Sequence, residues 1–179
     1  MIVGERVRLR PIAEGDWETL EQWASTREGL WGTYQRFQLD HVGRLRELFE
    51  AGAMLSRSAG FLIVELVADG RPIGFVRYGL TTFPDADLPH PEIGYGIADP
   101  RDRGQGFATE ATRLLVGYLF DGYATERITA VVDAENTPSR RLLERIGFGL
   151  EGVMRRAWFR DGAWRDIALY GLLRGEWQA

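Results

Sequence analysis

Only a few side chains of this sequence have the chemistry of an acid–base catalyst or a nucleophile. The chain contains no cysteine and two histidines, His41 and His90, which excludes thiol chemistry, thiolate metal sites and histidine-rich metal sites. All 22 basic residues are arginines, so a Schiff-base lysine is excluded as well. Glu92 is a candidate base, at the start of a strand pattern that ends in a glycine-bearing turn. His90 competes with it by ordinary pKa alone, whereas Glu110 is placed to complement a helix dipole.

The glycine-bearing turn after that strand has the features of a phosphate-binding loop. Gly104 and Gly106 permit close approach of the backbone, and the helix that follows would aim free N–H groups and its positive dipole end at a ligand. The natural ligand of such a turn is a phosphate or a pyrophosphate. An alternative is that both glycines only shape a tight turn. A dinucleotide fingerprint is incomplete because its third glycine is missing, and a P-loop would need a lysine.

The elements that must position these groups follow the order βααβββαβαββ, which predicts an α/β domain with a mixed sheet. Asp16 is predicted to cap the first helix and Asp40 the second, while 69–70 and 161–162 have the Asp-Gly sequence of hairpin turns. A helix is predicted from the glycine turn to about Gly122, and a shorter one ends at Gly147. Strands are predicted at 5–10, 61–67, 72–82, 92–98, 127–133, 148–159 and 164–172.

Length and composition predict one domain spanning residues 1–179. The chain is 45% hydrophobic and 27% charged, which excludes disordered and coiled-coil classes. Its net charge of −4 disfavours nucleic-acid binding, which usually needs a basic excess. No apolar run approaches the roughly 18 residues of a membrane span, and the charged, alternating start is unlike a signal peptide. We therefore expect a cytoplasmic protein without membrane or nucleic-acid partners.

Several motifs together resemble one enzyme family. The segment 101–106, Arg-Asp-Arg-Gly-Gln-Gly, matches the acetyl-CoA signature Q/R-x-x-G-x-G/A of the GNAT N-acetyltransferases. The surrounding sequence is similar to the RimJ/RimL-like branch of that family, the ribosomal-protein N-terminal acetyltransferases and their relatives. The motifs that carry this similarity cover nearly the whole chain and lie at 7–11, 92–95, 103–111, 136–139, 147–148 and 166–170.

The resemblance implies a fold and a cosubstrate. The fold would be a mixed, mostly antiparallel sheet of about seven strands, flanked by about four helices and splayed between the fourth and fifth strands. Acetyl-CoA would lie in that gap, and no metal is expected. Asn136 would contact the pantetheine arm, or alternatively only cap a helix. The other residues implied in acetyl-CoA binding are Ile97, Ala98, Arg103, Gly104, Gln105, Gly106, Phe107, Ala108 and Thr109.

The same resemblance implies direct attack of an amine on the acetyl thioester, with Glu92 as the base. Ser139 matches a serine placed near the thiol in this branch, where orienting or hydrogen-bonding the thiolate suits it better than acid catalysis. Many relatives carry an acidic tyrosine four residues before the glycine of a Gly-Phe pair. That position is Leu143 in this chain, so the usual acid is absent.

The acceptor site is the least defined part of the sequence. Trp31 and Tyr34 are candidate acceptor-binding residues, and further candidates are Phe37, Trp158 and Trp164. Asp85, Asp87 and Glu92 suggest a negatively charged entrance that suits a cationic amine. Both a protein N-terminus and a small-molecule amine remain open as acceptors, and a homodimer is expected. Two alternative hypotheses for the function remain open. One is a non-catalytic module that binds acetyl-CoA, and the other is a nucleotide-dependent oxidoreductase.

Overall fold

The computed structural model describes residues 1–27, 34, 41–52 and 54–178, and for 41 and 42 the backbone alone. Asp40, the predicted cap of the second helix, lies outside these residues. The strands are β1 (Ile2–Val3), β2 (Val7–Pro11), β3 (Ala59–Leu66), β4 (Pro72–Thr81), β5 (His90–Ile97), β6 (Arg127–Asp133), β7 (Gly149–Arg160) and β8 (Ala163–Leu173). The helices are α1 (Trp17–Ser25), α2 (His41–Glu50), α3 (Phe107–Gly122) and α4 (Thr137–Ile146).

The strands form a single eight-stranded sheet in the order β1-β2-β3-β4-β5-β6-β8-β7. Every neighbouring pair is antiparallel except β5 and β6, which are parallel. The predicted mixed, mostly antiparallel sheet is confirmed, with one strand more than the expected seven. The additional strand β1 pairs only Ile2 with Leu9 and Val3 with Arg8, and two residues are too few to show an alternating pattern.

Helices cover both faces of the sheet. The apolar stripe of α3 and the buried Leu143 and Ile146 of α4 pack on one face and form the larger hydrophobic cluster. Trp17, Leu20 and Leu45 of α1 and α2 pack on the other face and form a smaller cluster. No helix within the described ranges is long and apolar enough to cross a membrane.

The sheet divides where its two parallel strands meet. β5 pairs with β4 over its whole length, from Thr81 opposite His90 to Gly74 opposite Ile97. Its pairing with β6 covers only two positions, Glu92 opposite Thr129 and Ile93 opposite Ala130. Beyond Ile93 the strands part, which confirms the predicted splay between these strands.

Local turn and helix-end chemistry follows the sequence closely. Asp161 (φ 53°) and Gly162 (φ 74°) both have positive φ, as the two central residues of a type I′ hairpin turn require. Helix α4 ends at Gly147, whose φ is 113° and whose N–H donates to the carbonyl of Leu143. A left-handed glycine at this position is a common helix stop.

Asp16 differs from its predicted role as a simple helix cap. It lies at the cap position of α1, but its carboxylate makes no capping hydrogen bond to the helix. It accepts two hydrogen bonds from the Arg10 guanidinium, at 2.6 and 2.7 Å, and one from the backbone N–H of Ala13. Arg10 also donates to the buried carboxylate of Glu65. One guanidinium therefore joins β2, β3 and the start of α1.

We expect Arg10→Met to destabilise the protein by about 3 kcal/mol at pH 7, because it leaves two buried carboxylates short of a partner. Burial acts to raise the pKa of Asp16, but the hydrogen bonds from Arg10 and Ala13 outweigh it and hold the pKa below its usual value. A lowered folded-state pKa stabilises the protein above the unfolded pKa, about 3.9, and this contribution is lost as the pH falls through the folded value.

Urea unfolding at several pH values checks this expectation. The difference between wild type and variant should shrink as the pH falls below the ordinary carboxyl pKa. Arg101→Met is the matched control, because Arg101 pairs with Asp99 at the surface, and it should leave the unfolding midpoint unchanged. An equal loss of unfolding free energy in Arg10→Met and Arg101→Met would show that the buried network stabilises the protein no more than a surface ion pair does.

Candidate functional site

A cavity of about 1000 Å³ opens where β5 and β6 part. Its walls come from β5, β6, the loop before α3, the first turn of α3, the start of α4 and the face of the sheet beside α1 and α2. Of the residues predicted for the site, those that line it are Tyr34, Glu92, Ile97, Arg103, Gly104, Gly106, Phe107, Ala108, Thr109, Asn136, Ser139 and Trp158. Ala98 and Gln105 are not among the lining residues, and Trp31 and Phe37 lie outside the described part of the chain.

The predicted phosphate-binding turn is built from two left-handed glycines at the start of α3. Gly104 has φ 73° and Gly106 has φ 87°, a conformation in which a side chain is strained. The first helical hydrogen bond runs from the Glu110 N–H to the Gly106 carbonyl. The N–H groups of 107–109 therefore precede the helical ladder, and these residues line the cavity. Gly106, the capping residue, has no side chain to occupy them.

The strand edge that faces the gap differs slightly from expectation. The Ala98 N–H donates to the Ile73 carbonyl on the β4 side, so the backbone of Ala98 is turned away from the gap. Because successive residues of a strand alternate in direction, the backbone groups of Tyr95 and Ile97 point toward β6. The Arg103 guanidinium donates to the carbonyls of Ile97 and Ala98. Arg103 thus fixes the turn, and Tyr95 joins Ile97 at the open edge.

Two polar side chains near the turn have structural partners. The Glu110 carboxylate accepts hydrogen bonds from the N–H groups of Arg6 (2.8 Å) and Val7 (3.2 Å), which ties α3 to the start of β2. The Gln105 side chain donates to the Arg101 carbonyl. Both side chains therefore stabilise the turn through hydrogen bonds to backbone groups, and neither side chain is available to a ligand in the cavity.

Glu92 is a half-buried carboxylate on the cavity wall. Burial raises its pKa, nearby Arg77 lowers it, and the net shift is upward. It makes no hydrogen bond to another described residue, so its oxygens are available to accept a proton. His90 does not line the cavity; it is buried at the start of β5, and burial lowers its pKa. Of the two candidate bases, Glu92 therefore faces the cavity and His90 does not.

A hydroxyl pair lies at the opposite side of the gap. The Tyr95 hydroxyl is 2.7 Å from Oγ of Ser139 and 3.3 Å from the Ser139 carbonyl oxygen. Asn136 accepts a hydrogen bond from the Ser139 N–H at 3.1 Å, so its predicted role as the cap of α4 is confirmed, and it lines the cavity as well. Sequence reasoning missed Tyr95, although its position three residues after Glu92 indicates the other face of the strand.

Glu92 and Tyr95 lie on different faces of the sheet. Tyr95 packs against the larger hydrophobic cluster under α3 and α4. Glu92 shares a face with Gly94 and Gly96, and Gly96 lies opposite Phe75, which packs on the smaller cluster under α1 and α2. The cavity reaches both faces only because the sheet is split between them.

The α1/α2 side of the cavity is aromatic and carries one unpaired cation. Phe61 and Phe75 stack with their ring centroids 5.1 Å apart, and Tyr34 and Trp158 add two more rings. Arg77 lies across Gly94 so closely that a Cβ there would be 2.8 Å from its Nε atom. Its guanidinium has no hydrogen bond or ion pair among the described residues.

The predicted negatively charged entrance is not found in this cavity. Asp85 and Asp87 are exposed in the loop before β5 and do not line it. Trp164, another candidate, is exposed and packs edge-on against Phe159 instead.

Three acidic residues occur among the described residues of the cavity wall, and two of them are neutralised. Asp102 forms two hydrogen bonds with Arg71, and buried Asp133 pairs with buried Arg160. Glu92 is the exception. The arginines that line the cavity are Arg77, Arg103, Arg141 and Arg145. The described part of the wall is therefore positive, which suits an anionic ligand. No cluster of three or more metal-ligating side chains occurs among the residues that the structure describes.

Comparisons with known proteins agree with this geometry. Residues 6–149 match the family model of the acetyltransferase (GNAT) domain. The SPbeta prophage-derived uncharacterized N-acetyltransferase YokL of Bacillus subtilis is 32% identical over 120 residues, which cover 66% of this chain and 64% of that protein. The probable N-acetyltransferase YjcK of the same organism is 28% identical over 178 residues, 97% of each chain. The chain spans about half to two thirds of the length of the first curated relatives that it matches.

A solved structure shows the same similarity. Mycobacterium smegmatis RimJ in complex with CoA-disulfide is 28% identical, with a TM-score of 0.72 over 95% of this chain and 83% of that one. The RimJ structure is a complex with CoA-disulfide, and CoA carries a pyrophosphate.

We expect Gly104→Val to weaken CoA binding about tenfold or more. This is the loss expected when a side chain in the turn prevents one hydrogen bond to a charged phosphate. Gly52→Val is a matched control, because Gly52 also has positive φ, and at both glycines a Cβ would meet no atom within 4 Å. Both variants should lose similar stability, since both strain a left-handed backbone. Calorimetric titration with CoA and thermal unfolding check this, and equal CoA affinity in the two variants would contradict a ligand-binding role for the turn.

Proposed function

The chain belongs to the acetyltransferase (GNAT) domain family, and on this premise we propose that it transfers an acetyl group from acetyl-CoA to a primary amine by direct attack. The matches also bear out the resemblance to the RimJ/RimL-like branch. The observation that carries the proposal is one cavity with an uncapped helix start on one side and an unpaired, half-buried carboxylate on the other. The first binds a pyrophosphate, and the second accepts a proton.

Acetyl-CoA fits the cofactor half of the cavity. The N–H groups of 107–109 would hold the pyrophosphate, and the positive wall matches its charge. The backbone edge of Tyr95 and Ile97 would pair with the pantetheine arm, with Asn136 close to the same arm. Acetyl-CoA supplies an activated acyl group as a thioester, and the residues of this chain orient it and exclude competing water.

A base is needed because most amines are protonated at neutral pH. At pH 7, deprotonation costs roughly 4.6 kcal/mol for an alkyl amine with a pKa near 10.4 and roughly 1.4 kcal/mol for a peptide α-amine with a pKa near 8. Glu92 is placed to take this proton, directly or through a water. The raised pKa of its carboxyl group makes it a stronger base than an ordinary glutamate. An unpaired carboxylate facing the cavity also argues against the alternative of a non-catalytic acetyl-CoA-binding module.

The charges beside Glu92 bear on the acceptor. Arg77 and Glu92 are diagonal neighbours across β4 and β5, so an amine at Glu92 lies near a guanidinium that has no partner of its own. A polyamine would bring more positive charge to Arg77, whereas a carbonyl or carboxylate next to the amine would accept its hydrogen bonds. We infer that the acceptor is an α-amine, at a protein N-terminus or on an amino acid, in preference to a polyamine.

The homodimer and the cytoplasmic location stay predictions. The homodimer is supported by large apolar side chains that are exposed on β7 and beside its hairpin with β8. These are Leu150, Val153, Met154, Phe159 and Trp164.

An acceptor screen that follows CoA release tests the proposed function. We expect a dipeptide amide to exceed spermidine in kcat/KM, with butylamine as a matched amine that lacks a neighbouring carbonyl. Arg77→Met should lower kcat/KM for the dipeptide amide about tenfold, because one charged hydrogen bond to the substrate is lost. The same variant should leave kcat/KM for butylamine nearly unchanged. A preference for spermidine would overturn the α-amine proposal. CoA binding without release for any amine would favour the non-catalytic module.

Glu92→Gln should lower kcat/KM for the amine by about 10²–10⁴, the usual contribution of a general base. Acetyl-CoA affinity should change little, because backbone groups supply most of the contacts. Because burial raises the pKa of Glu92, the wild-type rate should fall with decreasing pH while still above the ordinary carboxyl range. The variant should lack this acid limb and recover partly at high pH, where the amine deprotonates in solution.

The informative measurement is kcat/KM from pH 5 to 10 in both proteins. Glu135→Gln is a matched control, because Glu135 is exposed and pairs with Arg165 away from the cavity wall. Parallel profiles of similar height for wild type and Glu92→Gln would assign Glu92 a structural role.

A further inference from the structure

The hydroxyl pair of Tyr95 and Ser139 has no role in binding the pyrophosphate or deprotonating the amine. Both side chains line the cavity where β5 and β6 part, and their oxygens are 2.7 Å apart. Tyr95 comes from β5 and Ser139 from the first turn of α4. The hydrogen bond therefore spans the gap in which the thioester would lie.

We propose that Tyr95 is a positioning residue, whose hydroxyl donates to Oγ of Ser139 and so directs the Ser139 proton at the departing sulfur. This inference rests on the proposed acetyl transfer and deepens it. The amine nitrogen forms a bond to the acetyl carbon, the C–S bond breaks, and its electron pair stays on sulfur. Glu92 first takes the ammonium proton and passes it to solvent; after the attack the nitrogen loses a second proton to Glu92, and the thiolate accepts a hydrogen bond from Ser139.

The relative acidities define this role as hydrogen bonding without net proton transfer. A thiol has an ordinary pKa of about 8.5 and a tyrosine about 10, and burial raises the pKa of Tyr95 further. Neither Tyr95 nor Ser139 therefore gives up a proton to the thiolate at equilibrium. A hydrogen bond to the thiolate still stabilises its charge in a site that excludes water. The product thiolate takes its proton from solvent after release.

The other candidates for this contact are engaged elsewhere. Leu143, at the position of the usual tyrosine, is fully buried in the core and has no polar atom. Tyr78 lines the cavity but donates to the Ser56 carbonyl at 2.6 Å. Tyr170 contacts Glu144 and Arg140. Among the described tyrosines, Tyr95 is the one whose hydroxyl contacts the hydroxyl of another residue that lines the cavity.

The pKa of the CoA thiol when bound to the protein tests this inference without a known acceptor. It is measured from the ultraviolet absorbance of the thiolate as the pH is raised. In the wild type the bound thiol should ionise below the ordinary value of about 8.5. Tyr95→Phe and Ser139→Ala should each lower the ionisation constant of the bound thiol about tenfold, which raises its pKa by about one. The double variant should raise this pKa no more than either single variant does. Tyr78→Phe, which removes a hydroxyl from the same cavity, should leave it unchanged.

The possible outcomes separate this inference from the proposed function. If Tyr95 only packs, Tyr95→Phe weakens CoA binding equally at every pH and leaves the thiol ionisation unaltered, which overturns the inference alone. If the folded wild type does not bind CoA, both the proposed function and this inference are wrong. Thermal unfolding of each variant shows that it is folded, and Ser139→Thr, which keeps a hydroxyl, should retain most of the wild-type ionisation.

Discussion

The two-residue pairing of β5 with β6 is the constraint on which the rest of this structure depends. A parallel pair that continued to Ile97 would satisfy the backbone groups of both strands and close the sheet. Because pairing stops at Ile93 opposite Ala130, a cavity of about 1000 Å³ forms in the middle of the sheet. The backbone groups of Tyr95 and the N–H of Ile97 are left to a ligand, while the Ile97 carbonyl is held by Arg103. The start of α3 lies beside this edge.

Paired buried charges give this cavity its electrostatic character. Asp102 is neutralised by Arg71, and Asp133 by Arg160, so both carboxylates serve the fold and neither serves the chemistry. Glu92 alone among the acidic wall residues lacks such a partner within the described chain. Burial makes its negative charge unfavourable for stability and favourable for proton abstraction, and nearby Arg77 offsets part of that cost. A half-buried, unpaired carboxylate of this kind lowers the stability of the fold and increases the reactivity of the site.

Elements governed by local chemistry were predictable from the sequence, and contacts across elements were not. The turn at Asp161-Gly162 and the helix stop at Gly147 follow from backbone preferences at single residues, and the structure confirms them. The Tyr95–Ser139 contact joins residues 44 apart in sequence, and no local pattern reports it. The same holds for Asp16, which was predicted as a cap but is held by Arg10. The two-residue strand β1 was missed because it is shorter than one alternation.

The split sheet also bears on the order of events. Glu92 is on the face covered by α1 and α2, while Tyr95 and Ser139 are on the face covered by α3 and α4. The proposed base on one side and the proposed thiol contact on the other are useful together only if both substrates are present at once. The chain has no cysteine to carry the acetyl group between separate half-reactions, and among the described side chains Ser139 has no histidine beside it as a base. The geometry thus suits direct transfer within a ternary complex.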